Sequence, residues 1–192
     1  MSHTRLHPDG VERCVWVTDD QIYIDYHDQE WGNRATGQRD LFEAIALESF
    51  QAGLSWLTIL KRREGFRSAF DGFDIEKVAT YDQEKVASLL LDERIIRNRA
   101  KIEATIHNAQ LVMTNNVDLK SELWQFAPTN PITQESNFSW KATSPESDAL
   151  SNHLRKLGFK FVGSTTMYAL MQSTGMIHDH APNCFRRIRK DS

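Results

Sequence analysis

"DLFEAIALESFQAGLSW", residues 40–56, is the stretch from which the fold is read. In the surrounding "RDLFEAIALESFQAGL" (39–54), Leu41, Ile45 and Ala52 recur at intervals of four and seven, the period of one helix face. Gly53 is placed to end or bend that helix. Ser55 is placed to cap the next one, "SWLTILKRREGFRSAF" (55–70). Glu48 stands three residues after Ile45 and seven after Leu41, so it shares the apolar face. A carboxylate buried there is expensive unless something pairs with it. Its partner is either an Arg or Lys of the same chain, in an internal salt bridge, or a ligand.

Outward from this stretch the pattern stays helical. "DIEKVATY" (74–81) and "DQEKVASLLLD" (82–92) each open on Asp, and "IIRNRAKIEATIHNAQLVMTNN" (95–116) has Ile102, Ile106 and Ala109 on one face. "APTNPITQESNFSWKATSP" (127–145) holds three of the five prolines and is expected as an exposed connection. "SPESDALSNHLRKLGF" (144–159) follows, with Ser147 where a capping box would place Glu. The last expected helix is "STTMYALMQSTGM" (164–176), and "ERCVWVT" (12–18) is a short, isolated β-type segment. The expected class is all-α with many short helices.

The 192 residues, 40% hydrophobic and 26% charged, suit one globular domain or two small lobes sharing a core. No apolar run approaches the roughly 18 residues of a spanning helix. The opening "MSHTRLHPDGVER" is polar and has no apolar signal-peptide region, so a cytoplasmic location is expected. Residues 1–11 read as an N-terminal extension, expected to be flexible, before a domain over 12–192. With a net charge of −3, nucleic-acid binding would require a local basic face.

Cys14 precedes His27 by thirteen positions, and "HDHAPNC" places His180 four before Cys184. Each half offers a thiolate and an imidazole, together a Cys₂His₂ set of the tetrahedral zinc type. Two unrelated thiols are the plain alternative, and His178 competes with His180. Four protein ligands would close the shell, making the ion structural, and would tie the two ends of the chain together.

Tyr23, Tyr26 and Trp31 fall within "YIDYHDQEWG" (23–32), and Trp56 follows Glu48. Such rings fill a core, or they wall a pocket with one buried carboxylate, which suits a flat cationic ring. "LLLDERIIRNRAKI" (89–102) reads as helix, tight turn, helix, with Arg94, Arg97, Arg99 and Lys101 around the turn. That is a solvated basic face or a phosphate-binding hairpin. "KRRE" (61–64), "RKLGFK" (155–160) and "FRRIRK" (185–190) add further basic runs.

These blocks together, with "ERCVWV" (12–17) and "FKFVGSTTMYALMQSTGMIHDHAPNCF" (159–185), resemble the DNA-3-methyladenine glycosylase I family from Glu12 to Phe185. The resemblance implies a helix–hairpin–helix glycosylase fold with a zinc clip joining the N- and C-terminal segments. It implies one structural Zn²⁺ on Cys14, His27, His180 and Cys184. It implies a base pocket of Tyr23, Tyr26, Trp31, Glu48 and Trp56, with Glu48 as the catalytic reader of the base. Gly53 and Leu54 would enter the gap left by a flipped nucleotide; Arg94, Arg97, Arg99 and Lys101, from the hairpin reading above, are expected to meet DNA. The implied activity is monofunctional, hydrolytic release of 3-methyladenine from damaged double-stranded DNA by a monomer, with no membrane partner. Two positions depart from the usual pattern: Ser49 stands where Gly is common, and Asp92-Glu93-Arg94 where Asp-Ala-Gly is common. They support an alternative, a family scaffold that binds DNA or a modified base without excising it.

Overall fold

The computed structural model describes residues 2–132 and 138–187. Its body is helical: α1 (Gln21–Gln29), α2 (Gln38–Gln51), α3 (Trp56–Leu60), α4 (Arg63–Ala69), α5 (Ile75–Ala79), α6 (Gln83–Leu91), α7 (Arg99–Thr114), α8 (Leu119–Trp124), α9 (Pro145–Leu157) and α10 (Ser164–Ser173). A 3-10 turn, Asp71–Phe73, lies between α4 and α5. Most helices start on a side chain that satisfies one of the first free N–H groups. Ser55 accepts from the Thr58 N–H, Asp74 from Lys77, Asp82 from Lys85 and Asn98 from Lys101. The capping box of α9 closes with serine: the Ser144 N–H donates to Ser147 Oγ at 2.8 Å, and the Ser147 N–H to Ser144 Oγ at 3.2 Å.

The structure corrects the sequence reading in three places. The expected helix over 55–70 is two, broken at Lys61–Arg62, which lets Leu60 pack beside Cys14 and Cys184 while Phe66 turns to the main core. α1 and α8 carry no clean amphipathic stripe and went unforeseen. The all-α expectation gains one hairpin: β1 (Thr4–Leu6) pairs antiparallel with β2 (Glu12–Cys14), Thr4 opposite Cys14. Thr4–Leu6, within the stretch expected as a separate extension, thus form a paired strand. Of the connection over 127–145, residues 133–137 lie outside the described residues, as do 188–190 of the basic run.

α2 is the central element and packs against α3, α7, α8 and α10. Its Leu41, Phe42, Ile45 and Phe50 are fully buried, each contributing roughly 1.5–3 kcal/mol of hydrophobic stabilisation. A second cluster gathers Cys14, Val17, Tyr26, Trp31, Leu60, Phe138, Ala181 and Cys184, and Trp56 packs against both. Among the described residues no helix is long and apolar enough to cross a membrane.

Candidate active site and metal cluster

The second cluster surrounds four buried donors. One ligand atom from each of Cys14, His27, His180 and Cys184 falls within 4.8 Å of the others. β2 delivers Cys14, α1 delivers His27, and the segment after α10 delivers the other two. Cys184 Sγ lies 3.4 Å from His27 Nε2 and 3.6 Å from His180 Nδ1. His178 is outside this group; its N–H donates to the Pro131 carbonyl at 2.8 Å.

The surroundings fix both rings. His180 Nε2 lies 3.3 Å from the Trp31 carbonyl oxygen, which can only accept, so that nitrogen carries the proton and Nδ1 keeps its lone pair. His27 Nδ1 donates to Asp28 Oδ1 at 2.7 Å, leaving Nε2 toward the sulfurs. Asp28 is held in turn by Arg13, whose Nη2 is 2.7 Å from Asp28 Oδ2. A carboxylate or carbonyl behind each ligating imidazole is the usual outer arrangement of a zinc site. Hydrogen bonding between the two buried sulfurs pulls the Cys184 thiol down and pushes the Cys14 thiol up, so the pair conflict without a cation. A divalent cation among these four donors would remove that conflict, and the donor set fits Zn²⁺.

Beside the cluster opens a pocket of about 240 Å³, lined by Tyr23, Tyr26, Trp31, Glu48 and Trp56 among others. All five residues expected in a base pocket are therefore brought together. Tyr26 and Trp56 have ring centroids 5.3 Å apart, and Trp16 stands edge-on to Trp31 at 5.1 Å. Glu48 is 3% exposed. Desolvation raises its pKa to about 8, and the Ser173 hydroxyl, which favours the charged form, acts in the opposite sense. Among the described residues no Arg or Lys pairs with it, which removes the internal salt bridge. The Trp56 indole N–H is also buried without a partner. Ser49 is turned away from the pocket: its hydroxyl donates to the carbonyls of Ile45 at 2.7 Å and Phe161 at 3.1 Å.

Sequence reasoning missed Trp16, Gln51, Trp140, Lys141 and Gln172, which also line the pocket. Trp16 and Trp140 were available as tryptophans; nothing local marks the others. Trp140 is set by its indole N–H, which donates to the Asp179 carbonyl at 3.1 Å.

After α2 the chain turns sharply. Gly53 has φ +83°, where a side chain would be strained, and Leu54 is 38% exposed. In the turn between α6 and α7, Arg94 makes a two-pronged ion pair with Asp92 at 2.9 and 2.7 Å. The carboxylate also accepts the Arg94 N–H, so the turn forms with no residue at positive φ. Arg94, Arg97 and Arg99 are all exposed. Lys101 is not: its ammonium donates to the carbonyls of Phe50 (2.9 Å) and Ala52 (2.7 Å), because the end of α2 lies over it. The expected DNA contact at Lys101 is corrected accordingly.

Residues 16–187 match the methyladenine glycosylase family model. The chain is 46% identical over 179 residues to DNA-3-methyladenine glycosylase 1 of Escherichia coli (strain K12), covering 91% of this chain and 96% of the relative. A crystal structure of 3-methyladenine DNA glycosylase I superposes with a TM-score of 0.87 at 44% identity, over 92% of this chain and all (100%) of that one. A variant of 3-methyladenine DNA glycosylase I in complex with 3-methyladenine superposes with a TM-score of 0.84 at 30% identity, over 93% of this chain and 99% of that one. The chain belongs to the methyladenine glycosylase family.

Proposed function

We propose that the protein excises 3-methyladenine from alkylated double-stranded DNA by hydrolysing the N-glycosidic bond. The observation that carries this reading is Glu48, a buried carboxyl with no cation of its own, among aromatic faces. Methylation at N3 makes the purine cationic and a good leaving group. The protein's task is to extrude the base, which costs a few kcal/mol, hold the cation between rings at roughly 1–3 kcal/mol per stacked base, and let water attack the sugar as the bond breaks. Release is monofunctional, and the strand stays intact.

Glu48 reads the charge. With a pKa of about 8 it is protonated at pH 7, by a margin of about 1.4 kcal/mol. Neutral adenine gives nothing in return for ionising it. A cationic base does, through a charge-assisted hydrogen bond, and the Glu48 proton leaves to solvent as the base binds.

In the same reading, α6, the 92–98 turn and α7 form a helix–hairpin–helix whose Arg94, Arg97 and Arg99 face phosphates. Gly53 and Leu54 fill the gap left in the duplex. Cys14, His27, His180 and Cys184 hold one structural Zn²⁺ with a closed shell, so the ion activates no water. The chain acts as one domain, a helical lobe and a zinc lobe that includes the Thr4–Cys14 hairpin, in a cytoplasmic monomer.

The test is base release from methylated duplex, comparing the native protein with Glu48→Ala and Ser49→Gly. Release that is lost in Glu48→Ala supports the proposal. Native protein that binds the duplex without releasing base overturns it in favour of a binding-only scaffold.

A further inference from the structure

Lys101 differs from the arginines around it. It is 7% exposed, in the first turn of α7, directly after the basic turn. Its two acceptors, Phe50 and Ala52, are among the last carbonyls of α2, which have no partner within the helix. They also form the negative end of the helix dipole, where an ammonium is favoured. α2 is the helix that carries Glu48 and Gln51 into the pocket.

The loop that leaves α2 keeps its own shape: the Leu54 N–H donates to the Gln51 carbonyl at 2.7 Å, and Gln51 Nε2 to the Leu54 carbonyl at 3.0 Å. Those bonds do not fix where the loop sits relative to α7. Among the described residues, only Lys101 makes hydrogen bonds from the first turn of α7 to this loop and the last turn of α2. Beside the apolar packing of α2 on α7, this one side chain is the hydrogen-bonded link between the start of the helix that follows the basic turn and the end of the helix that carries the pocket carboxyl.

We propose that Lys101 is a positioning residue that couples seating of the DNA backbone on the 92–98 turn to the Ala52–Leu54 loop and, through Gln51, to the base pocket. This rests on the reading of turn and loop as DNA-contacting. Lys101 touches neither DNA nor base; its ammonium sets the distance between the two surfaces that do. A methionine at 101 keeps most of the apolar stem and removes both bonds, so each surface stays intact while their relation loosens.

The experiment uses the full chain with Lys101→Met and Lys101→Arg. Three quantities are measured: affinity for free 3-methyladenine by tryptophan fluorescence, affinity for a duplex with an abasic analogue, and single-turnover release from methylated duplex. Lys101→Met should keep free-base affinity within about twofold and lower single-turnover release by roughly ten- to a hundredfold. Lys101→Arg, which can still donate to both carbonyls, should recover part of the loss. Unchanged release overturns the proposal, and so does free-base affinity that falls in step with release, which marks a merely structural lysine. In a Leu54→Ala background the effect of Lys101→Met should largely vanish; an undiminished effect means that Lys101 does not act through the loop. Arg97→Gln and Leu54→Ala alone test the underlying reading. If neither changes duplex affinity or release, the assigned DNA face is wrong whatever Lys101→Met does, and the coupling falls with it.

Discussion

The four-donor cluster and the aromatic pocket share α1, which gives His27 to one and Tyr23 and Tyr26 to the other, yet the two are finished differently. At the cluster the outward-facing atoms find partners in the chain: His27 on Asp28, His180 on the Trp31 carbonyl, Cys14 on the Ala181 N–H. In the pocket Glu48 has the Ser173 hydroxyl in its favour and no cation, and the Trp56 N–H has no partner. A buried polar group left short costs about 1–3 kcal/mol. On the proposed reading the cluster holds the chain together, and the pocket is kept for a base that arrives from outside. Each mutation below is aimed at one side of that contrast.

The largest effect is expected at the cluster. His180→Ala should abolish metal binding and lower stability by about 3 kcal/mol or more, about 10 °C in Tm at this chain length. Calorimetry alongside metal analysis checks it. A Tm within about 2 °C of native would make the clip dispensable.

Glu48→Gln should act in the opposite direction on stability while lowering base release by roughly 10²- to 10³-fold. The native carboxyl keeps its proton up to a pKa of about 8, whereas the unfolded chain gives it up near 4.5. Folding therefore binds a proton in that window, and stability falls as pH rises from 4.5 to about 8, by something of order 4 kcal/mol. Glutamine removes the slope. The variant should be more stable than native at about pH 9 and nearly equal at about pH 4. Denaturation midpoints with the same gap at both pH values would show that ionisation is not the cause.

A smaller effect separates phosphate contact from base contact. Arg97→Gln should reduce the salt slope of duplex affinity by about 0.9 and leave free-base binding unchanged. A shift in free-base binding would place Arg97 with the pocket instead.

The smallest change is expected at Ser49. Glycine there removes the bond to the Phe161 carbonyl and weakens α2, at a cost of about 1 kcal/mol. Base release should not change, because the side chain faces away from the pocket. Faster release from Ser49→Gly would show that the serine restrains Glu48.

Legibility in the sequence followed locality. Glu48 was conspicuous because a carboxylate on an apolar face breaks the helical pattern. The donor quartet was half legible: spacing suggested the set and left His178 competing, the family resemblance pointed to His180, and the fold brings His180 to the other three donors. The ends of α7 and α2 were blurred, since Asp92 binding Arg94 builds a turn that delays the helix to Arg99. Gln51, Lys141 and Gln172 were out of reach because the pocket is assembled from separate segments, and no period records which segments meet. Lys101 misled for the same reason. A lysine in a basic run looks solvated until the end of another helix is laid over it.

Cys14 and His27 emerge early during synthesis, whereas His180 and Cys184 follow about 150 residues later. Until that last segment leaves the ribosome, Cys14 and His27 lack the other two donors, and Tyr23 and Tyr26 have only Trp16 and Trp56 to pack on. Glu48 is made long before there is a pocket around it. The order of translation thus delays the site: a chain unfinished at that point carries Glu48 but neither the Gln172 side of the pocket nor the His180 and Cys184 donors.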